Sequence, residues 1–242
     1  MSRYYATLRG VSQISTRAGC LTNIDAAFYT YAGRIAAECN FAQSQLQQLI
    51  YISHAQDVFK AGDKVKSLAT PKARLEFLSS FQSISDDEEV ATVFKFARKI
   101  FFRVYYFRSI LVHDTWRSSK DFANAILLTS LDEEGRLEFA KKKVQHVETM
   151  TSKQTYTAIM RYISSVKLVN LQNMEHAAKD IALCNWCFMQ LGFVLNAEDY
   201  SSQYNFKKAF YTYSGVSHLF PEEKRTPYPS HFTSSKNKTT HR

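Results

Sequence analysis

Glycine and proline are scarce, 7 and 4 among 242 residues, which leaves too few tight turns for an all-β fold and excludes a low-complexity chain. Uninterrupted apolar runs extend only a few residues, far short of the about 20 that a membrane-spanning helix needs. The N-terminal segment lacks the continuous apolar stretch of a signal peptide, because Arg3, Arg9 and Arg17 interrupt it. Missing too are a Gly-rich phosphate loop, an HExxH pair and a Gly-x-Ser-x-Gly elbow, so nucleotide-dependent, zincin and serine-hydrolase chemistry have no handle. Cysteine is limited to Cys20, Cys39, Cys184 and Cys187. The CNWC formed by Cys184 and Cys187 lies in an apolar helical run, where thiols at i and i+3 face the same core. Cys20 and Cys39 stand too far apart for the second half of a zinc knuckle. The expectation is buried free thiols, no metal, no cofactor, no membrane part and a soluble cytoplasmic protein.

What is present is apolar and basic. Hydrophobic residues make up 45% of the chain, enough for a sizeable core at this length. The net charge is +9, and it is unevenly spread: Lys207 to Arg242 holds seven cations against Glu222 and Glu223, so +5 of the total. A basic end of this kind attracts polyanions without reading sequence, and also serves simply as a solubilising tail. The last residues, rich in Pro, Ser, Thr and Lys without periodicity, read as unstructured.

Helical periodicity dominates the rest. Phe28, Ala32, Ile35, Cys39, Ala42, Leu46 and Leu49 form one stripe, with Asn23 as a cap. A polar break is expected around Ala61-Gly62-Asp63. Thr70-Pro71 then opens a short helix whose apolar face is Leu75, Leu78, Phe81 and Ile84. Ser85 with Glu88 reads as a capping box for a third helix, helped by Asp86, Asp87 and Glu89 at the positive end of its dipole. That helix carries Val90, Val93, Phe94, Ala97, Phe101, Val104 and Leu111 to about Val112. A β-hairpin is expected over about 124–140, around Asp132-Glu133-Glu134-Gly135. Thr151 with Gln154 is a further capping box, and the stripe from Tyr156 to Leu191 predicts one long helix kinked near Asn170–Met174 and stopped by Gly192. The organisation expected is an N-terminal extension over 1–22, a mainly α domain over 23–192 and an aromatic, basic extension over 193–242.

One residue does not fit its surroundings. On the third helix Arg108 falls in the middle of the apolar stripe, where an unpartnered guanidinium costs several kcal/mol. It needs an exit to solvent, an internal acid such as Glu38, or an anionic ligand. His113 follows five residues later.

The stretch Phe107 to Trp116, FRSILVHDTW, resembles the Arg-x4–6-His signature of HEPN domains in the form R-N-x-x-A-H-G-x-W. The resemblance covers about 25–192, with a long first helix, a motif at the end of a later helix, a hairpin and a closing helix pair. Arg108 matches the motif arginine, His113 the motif histidine and Trp116 the tryptophan that follows. Ser109 stands where that family has Asn, Asp or His, and Asp114 where Gly is common. The resemblance implies a HEPN-like helical bundle acting as a homodimer, with RNA as substrate and Arg108 and His113 as the catalytic pair of a metal-independent endoribonuclease. It further implies 2′,3′-cyclic phosphate ends, a toxin or defence role, and a neutralising or regulatory protein partner. The alternative is a non-catalytic interaction or ligand-sensing module of the same fold.

Geometry sets a condition on that pair. Five residues turn a straight helix by about 500°, which leaves His113 about 140° from Arg108. The helix must end or bend between them, or the histidine must serve a cleft shared with a second chain. On the far face His113 joins Lys95, Lys99, Phe102 and Tyr106, a candidate RNA-facing surface. His54, His146, His176 and His218 stand alone as surface or satisfied histidines.

Overall fold

Asp25, rather than Asn23, opens the first helix: its carboxylate accepts the Ala27 N–H at 2.8 Å and starts α1 (Ala26–Ser53). The computed structural model describes residues 4–8, 16–17, 24–54, 57–119, 122, 124–133, 135 and 152–225. Within them the molecule is mainly helical with a small antiparallel sheet. The predicted stripe of α1 is buried except for the half-buried Ala32, and the helix packs most extensively against one from the C-terminal half of the chain. No break occurs at Ala61-Gly62-Asp63. Asp57 caps Lys60 N at 3.0 Å and α2 (Val58–Ser67) runs through them, with Ala61 fully buried. Thr70 and Pro71 open α3 (Pro71–Ser79) as the sequence predicts, and a separate turn of helix, α4 (Gln82–Ser85), follows.

The central helix is α5 (Glu88–His113). Its cap is Asp87, whose carboxylate takes Glu89 N and Val90 N, while Ser85 closes α4 instead of forming the expected capping box. The carboxylate two residues nearer the helix reaches the free N–H groups that Ser85 cannot.

The hairpin is displaced from its expected place. Strand β3 (Thr115–Ser119) pairs antiparallel with β4 (Ala125–Thr129), Trp116 opposite Leu128. The Asp132-Glu133 segment is helical rather than a turn. β4 in turn pairs with β5 (Lys167–Asn170), and two short strands, β1 (Ala6–Thr7) and β2 (Thr16–Arg17), extend the edges to give the order β1-β5-β4-β3-β2. β4 is buried on both faces: Ile126 and Leu128 join the main core, and Leu127 joins Leu8, Ile163 and Val166 on the other side. A strand covered on both faces reads as a continuous apolar run, and the AILL of β4 is one.

The long helix expected over 156–191 is two helices. α6 (Ser152–Ser165) ends, β5 intervenes, and Asn170 with Asn173 forms a reciprocal capping box that starts α7 (Leu171–Leu195). Thr151 lies outside the described residues. Gly192 does not stop α7. It lies within the last turns against Leu49 and Ile52, and the helix ends when Asn196 N–H bonds the Gly192 carbonyl at 3.0 Å. The fold also continues past 192. α8 (Tyr200–Thr212) and two 3₁₀ turns, Ser217–Leu219 and Glu222–Lys224, bury Phe210, Val216 and Phe220 in the same core as α1, α5 and α7. The N-terminal segment likewise belongs to it: Tyr4 is fully buried. No helix among the described residues is long and apolar enough to cross a membrane.

Candidate functional site

The apolar stripe of α5 buries Val104, Phe107 and Leu111, and Arg108 sits among them because it occupies the same side of the helix. Its side chain is half-buried. Its Nε is shut away from solvent with no hydrogen-bond partner. Glu38 does not supply one: that carboxylate accepts from Asn185 Nδ2 at 2.7 Å across α1 and α7. Among the described residues no carboxylate pairs with Arg108. On α1 its charge acts on Cys39, a thiol that burial pushes up to about 12 against the opposing effect of Arg108. The guanidinium therefore keeps donor capacity that the protein itself leaves unused.

The end of α5 is built by long-range contacts. The helix continues through His113 and stops at Asp114, whose N–H bonds the Ile110 carbonyl at 2.9 Å. The Asp114 carboxylate receives Lys167 Nζ from β5 at 2.6 Å, both side chains being largely buried. Trp116 Nε1 donates to the Leu111 carbonyl at 2.8 Å, and the indole stacks on Tyr29 of α1 with ring centroids 5.2 Å apart. These contacts take up the helix-end carbonyls and fix the turn that carries His113. His113 itself is exposed. Ser109 is half-buried.

An unbroken helix settles the geometry within one chain. Arg108 points into the core side and His113 outward, about 140° apart around the axis. Of the two alternatives, an end or bend between them is excluded, since the i to i−4 bonding persists to Asp114, and a cleft shared with a second chain is the one left. His113 shares its face with Lys95, Lys99 and Tyr106, all exposed, and with Phe102, which is half-buried against Phe101 and lies under Arg98 at 5.8 Å. The structure thus groups His113 with the candidate RNA-facing residues and separates it from Arg108.

No family model, curated protein or solved structure matches the chain.

The residues of the site include several that the sequence does not announce. Lys167 and Tyr29 hold the helix end, but each meets its partner across more than 50 residues of chain, where no local spacing signals a contact. Arg103 is another. It binds Asp180 at 2.9 Å and Tyr4 Oη at 3.1 Å, joining α5 to α7 and to the residues that lead into β1. The cysteines behave as the sequence predicts. Cys39, Cys184 and Cys187 are free and buried, Cys184 Sγ donates to the Ala97 carbonyl at 3.4 Å, and burial pushes the Cys187 thiol up to about 12. Thiols in that state are poor nucleophiles. Cys20 lies outside the described residues. Among the described residues no group of three or more His, Cys, Asp or Glu side chains converges on a metal-sized site.

Proposed function

We propose that the chain is a metal-independent endoribonuclease of HEPN type that works as a homodimer, with Arg108 and His113 as its reacting pair. The observation that carries this reading is the orphaned Nε of Arg108, a costly donor kept in an apolar setting without an internal anion. A phosphodiester supplies the missing anion. The guanidinium would grip two of its oxygens and stabilise the added charge of the pentacoordinate transition state. His113 would take the 2′-hydroxyl proton or protonate the leaving 5′-oxygen, and in-line attack would leave a 2′,3′-cyclic phosphate. Because the two side chains diverge within one chain, the cleft requires His113 of one protomer to approach Arg108 of its partner. Support for a strand on this face comes from Lys95, Lys99 and Tyr106, which line up with His113.

The test is incubation of mixed RNA with purified protein in EDTA, followed by end-group analysis. Wild type should give fragments with cyclic phosphate ends, and His113→Ala should lower the rate by about 100-fold or more. Equally intact RNA with both proteins would overturn the reading.

The divergence of Arg108 and His113 favours a second reading, a non-catalytic helical module. An internal ion pair does not account for Arg108 in such a module, because Glu38 accepts from Asn185 instead. In this reading Arg108 binds an anionic ligand without chemistry, and RNA survives with every variant.

A further inference from the structure

We propose that the cleft between α5, α7 and the Ser217–Leu219 turn binds a phosphate group of the RNA strand whose scissile bond lies at His113. This rests on the ribonuclease reading above and names the path of its substrate. The cleft encloses about 300 Å³ and is bordered by Lys99 and Arg103 of α5, Asp180 of α7 and His218 of the turn. Its wall closes because Gly215 has no side chain: a Cβ there would meet Leu183 Cδ1 at 2.8 Å and Tyr213 Cε1 at 2.9 Å.

One cation in this cleft, Arg103, is not an ordinary solvated surface group. Arg103 is fixed before any ligand arrives. Its Nε donates to Tyr4 Oη at 3.1 Å, its Nη2 to Asp180 Oδ2 at 2.9 Å, and the Tyr4 hydroxyl donates to the same carboxylate. That leaves Nη1 of Arg103 without a partner among the described residues. A guanidinium already oriented loses little freedom when it grips an oxyanion. Lys99, exposed at the rim, makes no ion pair or hydrogen bond among the described residues, and Lys99, Arg103 and Asp180 of the described lining sum to one positive charge. His218 stands edge-on to Phe96, with ring centroids 5.5 Å apart, and brings a further ring nitrogen to the rim. Donors from α5 and from the Ser217–Leu219 turn, beside the apolar Phe96, Ile100 and Leu183, suit a phosphate oxyanion.

Position links this cleft to the candidate active face. Lys99 and His113 lie on one side of the same straight helix, 14 residues or about 21 Å apart along its axis. Between them Tyr106 exposes 59% of its surface, a ring on which a base can stack. A strand held at its flank by Lys99, Arg103 and His218 would pass Tyr106 and present its backbone to His113.

The experiment uses the full chain and a short fluorescent 2′-O-methyl RNA, which cannot be cleaved through its 2′-oxygen, with binding read by anisotropy over a range of salt concentrations. Lys99→Gln combined with His218→Ala should weaken binding by about tenfold and lower the salt slope by about 1. Lys66→Gln, an equal charge change at an exposed position on α2, should leave both unchanged. The proposal fails if the double variant binds like wild type, if Lys66→Gln weakens binding equally, or if wild type does not bind the strand. Binding of AMP without binding of the strand would assign the cleft to a free nucleotide and also overturn it. Cleavage of ordinary RNA is measured separately. His113-dependent cleavage with normal binding by the double variant removes the cleft alone; cleft-dependent binding without cleavage keeps the cleft and removes the nuclease.

Discussion

At the scale of single residues, an arginine kept where it does not pay its way energetically marks a position held for another purpose. Arg108 has a buried, unpartnered Nε, so removing its charge should relieve a cost rather than create one. Arg108→Met keeps most of the volume and the unbranched stem. Its urea midpoint is expected to match wild type or to rise by the equivalent of about 1 kcal/mol, while RNA cleavage is lost. A fall of about 3 kcal/mol would instead show that the guanidinium supports the fold, and the functional reading of this residue would then be wrong. Asp114 illustrates the opposite case. The sequence places a carboxylate next to the candidate histidine, but the fold commits that carboxylate to Lys167.

At the scale of elements, α5 is anchored at both ends by chains of contact that only packing supplies. At its start, Lys207 of α8 bonds the capping Asp87 and lies 3.6 Å from Glu89, which also accepts from Tyr211 and from Lys224 at 2.6 Å. Burial alone would raise the Asp87 carboxyl. The hydrogen bond and charge of Lys207, with the Glu89 and Val90 amides, outweigh it and hold the group below its ordinary value. For Glu89 the same burial is outweighed by Lys224, Tyr211 and Lys207. Unfolded Asp and Glu titrate near about 3.9 and 4.3, so the clamp contributes fully above those values and is lost as pH falls through the lower folded ones. Lys207→Met should therefore destabilise the protein by about 3 kcal/mol at neutral pH. The gap between variant and wild type in urea melts should narrow below about pH 4. A gap that stays constant with pH would show that Lys207 acts through packing alone. The helical cores of α1, α3 and α5 were legible because their apolar spacing is local. The start of α5 was misplaced by two residues because Ser85 and Asp87 both satisfy the capping pattern, and only the path of the backbone chooses between them.

At the scale of the whole molecule, both ends of the described chain close the core. Tyr4 inserts between α5 and α7 with its ring tilted against Phe107, centroids 5.2 Å apart, and Phe210 is fully buried beside Phe220. The expected boundary at 192 thus cuts through a single packed unit. Phe210→Ala should cost about 3–5 kcal/mol, read as a lower urea midpoint with an unchanged slope. A cost below about 1 kcal/mol would restore the boundary at 192. The basic composition of the C-terminal region suggests a solvated run, but Lys207 and Lys224 pair with Asp87 and Glu89 on α5.

The order of residues alone determined the helical character, the misfit of Arg108 and the inertness of the thiols, because each follows from side-chain spacing within a few turns. Tertiary structure alone decided that β4 pairs backward with β3 and forward with β5, that the stripe from Tyr156 to Leu191 is interrupted by a strand, and that Arg108 and His113 look away from each other. Strand pairing and helix ends depend on partners distant in sequence, and a helix's continuity past a given residue depends on what receives its last carbonyls. Here the indole of Trp116 and the backbone of Asp114 receive them, so the helix stays whole and the histidine turns outward.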